Sequence, residues 1–296
     1  MNAPVLEIAD LHVALASASV PVPLLRGVSL TIAPGEVRGL VGESGAGKSM
    51  IGRSIFGLLP GGARITRGRI LFDGADLAAL ADAERRDLLG SRIALVPQDP
   101  MTSLNPVKRI GDQIGVLLRV KLKMARDAAR ARALELLAEV AIREPARVID
   151  LYPHELSGGM RQRILIAMAF ACTPRLVIAD EPTTALDVTV QRQVLRLIHD
   201  LQHRHGAAVL FVTHNFGLVA KLCQSVTVLY AGRVVEDGDT ASVLAAPREP
   251  YTQALLAATP RFDRPADALA TLDRAVTDTL LSDARAYDAA HAEAYR

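Results

Sequence analysis

The stretch "GESGAGKSM", Gly42–Met50, decides the fold. Four residues separate Gly42 from Gly47, and Lys48 and Ser49 follow, which is the pattern G-x-x-x-x-G-K-[ST]. In such a loop the glycines let successive backbone N–H groups surround phosphate oxygens, and the positive end of the following helix attracts the same charge. The alternative is a strand-to-helix turn with a solvated lysine. Because "VRGLV" before the loop is typical of a strand and "SMIGRSIFGLL" of a helix, the phosphate-binding interpretation is favoured.

This interpretation gives the two polar residues at the end of the loop distinct roles. Lys48 would reach the β- and γ-phosphates, and Ser49 would hold Mg²⁺. The predicted nucleotide-binding residues are Gly42, Glu43, Ser44, Gly45, Ala46, Gly47, Lys48, Ser49 and Met50.

Composition excludes several classes of protein. The 34 Lys and Arg against 32 Asp and Glu leave a net charge of +2, which gives no electrostatic case for a nucleic-acid partner. The two cysteines, Cys172 and Cys223, are far apart in apolar surroundings, which argues against a disulfide framework or a zinc cluster. The apolar run "ILIAMAFAC" is shorter than the about 20 residues that cross a bilayer, and "MNAPVLEIAD" has no secretory pattern. We therefore expect a soluble, cytoplasmic globular chain.

Apolar patterning predicts a doubly wound α/β core. The runs "RLVIAD" and "AVLFVT" do not alternate polar with apolar residues, as is typical of strands buried on both faces of a parallel sheet. "SVTVLY" and "GRVVEDG" flank Ala231-Gly232 and predict a hairpin. Between about residues 98 and 165 the chain reads as a helical insertion, in which "RDAARARALELLAEVA" predicts an amphipathic helix with Leu134, Leu137 and Ala141 on its apolar face. We expect one domain over residues 1–260 and an extension of unknown role over residues 261–296.

A second candidate element of the nucleotide site follows the buried strand "LVIAD". Asp180 and Glu181 come where this strand ends, and ligands of open α/β sheets bind at such strand ends. Asp180 would support the Mg²⁺ shell through water, and Glu181 would polarise the attacking water. The alternative for either acid is a cap of the turn before Pro182.

"ELSGGMRQR", Glu155–Arg163, predicts a second helix N-terminus suited to phosphate. Ser157, Gly158 and Gly159 stand directly before a helical apolar run. Alone, such a serine is an ordinary helix cap. Since one ATP needs only one phosphate cradle per chain, the second cradle suggests pairing with another subunit.

With these motifs the sequence resembles the ATP-binding subunits of ABC transporters, over about residues 5 to 260. The resemblance implies an α/β P-loop NTPase fold, of the ABC nucleotide-binding type, with an antiparallel β subdomain and a helical insertion. It implies that the signature loop of one subunit closes over the ATP of its partner. The signature residues are Leu156, Ser157, Gly158, Gly159 and Met160.

The resemblance also implies roles for three single residues. Gln98 in "VPQD" matches the glutamine that links Mg²⁺ and the attacking water to the helical insertion. Asp187 in "TALD" matches the loop that crosses the dimer interface. His214 in "VTHN" matches the switch histidine that contacts the γ-phosphate, although a lone histidine after a strand is more often structural. Glu181, His214 and Gln98 are the implied catalytic residues; Ser49, Gln98 and Asp180 are the implied Mg²⁺ ligands.

Longer phrases resemble the dipeptide, oligopeptide and nickel importer branch. These phrases are "QDPMTSLNP", "PHELSGGMRQR", "ADEPTTALDVTVQ" and "REPYTQALLAATP". The sequence departs from the family at Leu15, where an aromatic residue usually stacks on adenine, and at Asn215, where the branch usually has an acid. The tail carries no cysteine cluster, which argues against an iron–sulfur site and weakens the peptide assignment relative to nickel.

The function implied is ATP hydrolysis that drives peptide uptake through a separate membrane permease, with ATP and Mg²⁺ as cofactors. The implied partners are a second ATPase subunit, which in this branch makes a heterodimer, two permease subunits and an extracytoplasmic solute-binding protein. The implied location is the cytoplasmic face of a bacterial inner membrane. Import of nickel or another small solute, a non-hydrolysing ATP-dependent scaffold, and a DNA-repair or chromosome ATPase are alternatives. The last lacks support, because no sustained heptads or cysteine pairs separate the two glycine-rich loops.

Overall fold

The computed structural model describes residues 3–16, 21–184, 186–258 and 274–295. Its strands are β1 (Leu6–Leu15), β2 (Val22–Ile32), β3 (Val37–Val41), β4 (Ala63–Phe72), β5 (Ala75–Asp76), β6 (Ile93–Val96), β7 (Leu176–Asp180), β8 (Ala208–Thr213), β9 (Ser225–Tyr230) and β10 (Arg233–Asp239). Its helices are α1 (Lys48–Phe56), α2 (Asp82–Leu88), α3 (Pro100–Ser103), α4 (Ile110–Leu122), α5 (Arg126–Glu139), α6 (Pro145–Val148), α7 (Gly158–Phe170), α8 (Val188–His205), α9 (Phe216–Leu222), α10 (Thr240–Ala245), α11 (Pro250–Ala258) and α12 (Arg274–Ala290).

The chain divides into two compact units, one formed by Met1–Leu80 with Leu210–Arg296 and the other by Ala81–Val209. The first unit contains an antiparallel sheet with the strand order β2-β1-β4-β5. It also contains β3, which pairs in parallel with β9, while β9 pairs with β10 in antiparallel orientation. Ala231 and Gly232 both have positive φ, which suits the two-residue turn of the predicted hairpin.

The second unit places helices around the parallel pair β6 and β7. Every residue of β7 except the last is buried, and all of β3 in the first unit is buried as well. Burial on both faces explains why the run "RLVIAD", which contains β7, shows no polar alternation. Strand β8 is also buried throughout; it begins in the second unit, where the Ala208 N–H donates to the Arg175 carbonyl at 2.8 Å, and ends in the first.

Helices of the second unit occupy much of the region predicted as an insertion. One detail of that prediction is wrong: α5 ends at Glu139, so Ala141 lies beyond it, exposed and with a positive φ. The buried face of α5 is instead formed by Ala129, Ala133, Leu136 and Leu137. The error arose because the apolar run "LLAEVA" continues past the point where the backbone leaves the helix.

The predicted division at residue 260, with a helical subdomain at about 98–165, stays a prediction. Residues 261–273 of the predicted extension lie outside the described residues. The extension contributes helix α12 to the first unit, followed by a short 3₁₀ helix at Ala292–Tyr295. Within the described ranges, none of the helices combines the length and apolar character needed to cross a membrane.

Candidate nucleotide-binding site

The predicted phosphate loop connects the end of β3 to the start of α1 in the first unit. Gly45 and Gly47 adopt φ values of +86° and +103°, a backbone region that L side chains rarely occupy. A Cβ on Gly42 would lie 2.1 Å from the Leu229 carbonyl oxygen, so the backbone of β9 leaves room only for glycine. The pattern of glycines is therefore imposed by the geometry of the loop.

Lys48 folds back over this loop. Its ammonium Nζ donates to the carbonyl oxygens of Gly42 and Glu43, both at 2.8 Å, and the side chain is buried. Helix α1 has no acidic residue in its first turn and no side-chain cap on Gly47, so its positive N-terminal end is not compensated there. Ser49 lies half-buried in that turn. A buried cation and a helix N-terminus thus converge on one short loop, which suits an anion such as a phosphate.

In the second unit, Glu181 follows β7 and is contacted by two polar side chains. Gln98 Nε2 donates to Glu181 Oε2 at 3.1 Å, and Thr184 Oγ1 donates to the same oxygen at 2.9 Å. Glu181 has a φ of +44°, which is uncommon for a residue other than glycine and is found at functional sites. The structure thus brings together two of the three predicted catalytic residues, and it adds Thr184, which the sequence reasoning missed.

The predicted signature loop forms the start of α7 in the same unit. Ser157 caps the helix, accepting a hydrogen bond from the Met160 N–H at 3.3 Å, and its side chain is exposed. A Cβ on Gly159 would lie 2.8 Å from Val190 Cγ1, so this glycine allows α7 to pack against α8. A Cβ on Gly158 would meet only Leu186 Cδ2, at 3.9 Å, among the described residues. Packing therefore explains Gly159 and leaves Gly158 without a structural reason.

Asp187 and His214 lie at the ends of regular elements. Asp187 caps α8, its Oδ1 accepting from the Thr189 and Val190 N–H groups at 3.0 and 2.9 Å. His214 follows β8 in the first unit and is exposed. The predicted interface and switch roles of these residues stay predictions.

Several known proteins resemble this chain in sequence and in fold. A family model described as "ABC transporter" matches residues 25–184, more than half of the chain. The dipeptide transport ATP-binding protein DppD of Escherichia coli (strain K12) is 45% identical over 267 residues, which cover 90% of this chain and 82% of that protein.

The chain belongs to the ABC transporter family.

Further matches agree with this membership. A model for the C-terminal region of oligopeptide/dipeptide transporters matches residues 235–283. The oligopeptide transport ATP-binding protein OppD of Bacillus subtilis (strain 168) is 45% identical, covering 87% of this chain and 72% of that protein. A dimeric post-hydrolysis structure of the ATP-binding cassette MJ0796, bound to ADP and Pi, has a TM-score of 0.71 at 27% identity, covering 79% of this chain and 98% of that one.

These findings confirm the predicted resemblance, the α/β P-loop fold of an ABC nucleotide-binding domain, and the ABC-type ATPase class. The roles of individual residues are not tested by them. One predicted departure of this ABC protein gains a structural explanation: Asn215 caps α9, its Oδ1 accepting from the Gly217 N–H at 2.8 Å. An asparagine is a good N-cap, as is the acid that the family usually carries there.

Proposed function

We propose that this chain hydrolyses ATP to drive the import of dipeptides or oligopeptides through a separate membrane permease. The observation that supports this most strongly is the 45% identity to a dipeptide transport ATP-binding protein over 90% of the chain. A relative named as a probable D,D-dipeptide transport ATP-binding protein, from Escherichia coli (strain K12), is 46% identical over 97% of the chain, which supports the same class of solute.

In this proposal the residues of the phosphate loop bind ATP, and Lys48 neutralises phosphate charge. Ser49, Gln98 and Asp180 offer hydroxyl, amide and carboxylate oxygens, the donor set that suits Mg²⁺. When bound, Mg²⁺ would neutralise the charge that develops on the transferred phosphoryl group. Glu181 orients and deprotonates the attacking water, and His214 contacts the γ-phosphate.

The hydrogen bonds at Glu181 support its role as the base. Gln98 and Thr184 donate to one oxygen, Oε2, which fixes the orientation of the carboxylate. A carboxylate held in this way is positioned to accept the proton from water. A positioned general base contributes roughly 10²–10⁴-fold in rate.

Glu181→Gln tests this assignment. The amide cannot accept the proton, so we expect ATP binding close to that of the wild type and hydrolysis reduced by about 10²–10⁴-fold. Glu135→Gln on the exposed surface of α5 is the matched control, since among the described residues Glu135 forms a surface ion pair with Arg132 and takes no part in the proposed site. Hydrolysis of the Glu181→Gln complex at the wild-type rate would remove Glu181 from the mechanism and favour the scaffold alternative.

An exposed apolar surface supports the proposed docking of a permease. Met101 and Val107, which follow Gln98 in the chain, are 62% and 79% exposed. A contiguous exposed apolar patch is typical of a protein contact, and Met101 and Val107 would belong to such a patch in the proposed docking surface. The Arg161 guanidinium contacts Met101 Sδ and donates to the Pro153 carbonyl, so this surface is connected to the signature helix α7.

The proposed assembly contains a second, different ATPase subunit, two permease subunits and an extracytoplasmic solute-binding protein, at the cytoplasmic face of a bacterial inner membrane. The signature residues would then close over the ATP of the second subunit. The resulting dimer is stabilised by contacts to the γ-phosphate and is released by hydrolysis.

Uptake of labelled dipeptides, longer peptides and nickel, in a host lacking this chain, tests the solute. We expect peptide uptake to be lost, and to be restored by the wild type but not by Glu181→Gln. Loss of nickel uptake alone would replace the peptide assignment by the nickel alternative. Unchanged uptake of all three would contradict both assignments.

A further inference from the structure

The C-terminal helix α12 is clamped to strand β2 by a bidentate ion pair. Arg26 Nε and Nη2 donate to Asp288 Oδ1 and Oδ2 at 2.7 and 2.9 Å. Both side chains are mostly buried, with exposures of 14% and 24%. A two-point guanidinium–carboxylate pair of this kind is among the stronger hydrogen-bonded contacts in proteins, and it fixes orientation as well as distance. Helix α12 therefore restrains the position of the Arg26 guanidinium.

The same arginine holds the turn between β9 and β10. Arg26 Nη1 donates to the Ala231 carbonyl at 2.5 Å, and the Arg26 backbone N–H donates to the Gly232 carbonyl at 2.8 Å. Both turn residues have positive φ, and for Ala231 this conformation is unfavourable without outside support. Arg26 supplies that support.

The Ala231–Gly232 turn also contacts the phosphate loop. The Gly232 N–H donates to the Ala46 carbonyl at 2.8 Å. A Cβ on Gly47 would lie 3.0 Å from Leu25 Cδ2 and 3.5 Å from Gly232 Cα, so turn, strand and loop are in close contact. A displacement of the turn would therefore move the loop as well.

A second C-terminal residue contacts the phosphate loop directly. The Glu43 backbone N–H donates to the Tyr251 hydroxyl at 3.0 Å. Tyr251, on α11, is fully buried and packs edge-on against Tyr230 at 4.6 Å between ring centroids. Burial raises the pKa of the Tyr251 phenol well above its ordinary value, so the hydroxyl stays protonated at physiological pH. Tyr251 thereby fixes the first part of the loop, whose Glu43 carbonyl accepts from Lys48.

We propose that α11 and α12 act as a positioning element for the phosphate loop, with Tyr251 and Asp288 as its positioning residues. Tyr251 fixes Glu43, and Asp288 fixes Ala46 through Arg26 and the Ala231–Gly232 turn. The proposal rests on the proposed function only in taking this loop as the ATP site. It gives α11 and, in the C-terminal extension, α12 a role in setting the affinity for ATP, independent of which solute is transported.

Asp288→Asn and Tyr251→Phe in the full chain test the two connections separately. The first removes the charge of the clamp, and the second removes the acceptor of the Glu43 N–H while keeping the ring. We expect each variant to bind a fluorescent ATP analogue about three- to tenfold more weakly than the wild type. In the assembled transporter, the KM for ATP should rise by the same factor while kcat changes less than twofold.

Asp283→Asn is the matched control, since Asp283 is an exposed carboxylate on the same helix. It should bind ATP like the wild type. Asp288→Glu, which keeps a carboxylate facing Arg26, should recover most of the affinity lost in Asp288→Asn.

Wild-type affinity and KM in both Asp288→Asn and Tyr251→Phe would overturn the proposal. A lowered melting temperature with unchanged affinity and KM would also overturn it, because α12 would then only stabilise the fold. If Asp288→Asn does not fold, Tyr251→Phe still tests whether α11 positions the loop, and Asp288→Glu tests α12. Failure of the premise that this loop is the ATP site is distinct, because the wild type itself would then bind no ATP.

Discussion

The phosphate loop and the signature loop are two glycine-rich turns that lead into helices, and they differ in what surrounds them. Both α1 and α7 begin without an acidic residue in the first turn. Gly42 packs against the backbone of β9, and a Cβ added to it would lie 2.1 Å from the Leu229 carbonyl oxygen. Gly158 has its nearest described neighbour for a Cβ at 3.9 Å, the Cδ2 atom of Leu186.

The difference shows which glycines the chain itself accounts for. The fold of this chain requires Gly42, because any side chain would collide with a strand. Nothing among the described residues requires Gly158, so we interpret it as a position kept small for something outside the chain. In the assembly proposed above, that occupant would be the ATP of a partner subunit.

The largest expected effect is that of Gly42→Ala. The added methyl would overlap a main-chain oxygen that cannot rotate away, so we expect the strand and loop to shift apart at a cost above about 3 kcal/mol. The affinity of the purified chain for ATP should fall more than about 100-fold, measured by titration with a fluorescent ATP analogue.

Gly158→Ala is the matched substitution in the other loop. Alanine favours helix over glycine by roughly 0.5–1 kcal/mol, so the melting temperature should be unchanged or higher and ATP affinity unchanged. Only turnover by the assembled transporter should fall. A Gly158→Ala transporter with wild-type turnover would contradict the signature role, and tight ATP binding by Gly42→Ala would contradict the steric argument.

The next effect concerns Leu15, the last residue of β1, where the family usually carries an aromatic residue. Stacking of a base on an aromatic ring contributes roughly 1–3 kcal/mol. Leu15→Tyr should therefore tighten ATP binding by about five- to 150-fold. Leu58→Tyr is the control, because Leu58 is an exposed leucine of the same unit, just beyond α1. Equal affinities of wild type and Leu15→Tyr would show that this subunit does not lack a stacking contact.

The sequence predicted the parts of the site that depend on neighbouring residues. The phosphate loop needs only a strand, a fixed glycine spacing and a helix, all within twenty residues. The buried strands β7 and β8 were predictable because burial on both faces removes polar alternation. Gln98 Nε2 donates a hydrogen bond to Glu181, while the roles that the resemblance implies for these two residues stay predictions.

Long-range supports of the site were not predictable. Tyr251 and Glu43 are 208 residues apart, and Arg26 and Asp288 are 262 apart, so no local pattern connects them. The sequence of α12 also offers no diagnostic motif, and its alanines do not distinguish a buried face from an exposed one. Thr184 was missed because a hydroxyl beside an acid is common in turns and has no diagnostic spacing.

The smallest expected effect compares two helix caps, Ser157 of the signature loop and Asn215 beside the switch histidine. Asn215 accepts its capping hydrogen bond at 2.8 Å and Ser157 at 3.3 Å. Asn215→Ala should therefore lower the free energy of unfolding by about 1 kcal/mol, and Ser157→Ala by about 0.5 kcal/mol. Denaturant unfolding of the purified chain measures both.

The same two variants test the signature role of Ser157. If Ser157 only capped a helix, Ser157→Ala would lose less stability and less ATPase activity than Asn215→Ala. If it also contacts the ATP of a partner, Ser157→Ala will be the more stable variant and yet the slower ATPase once the transporter is assembled. A Ser157→Ala transporter at least as fast as the Asn215→Ala one would restrict the serine to capping.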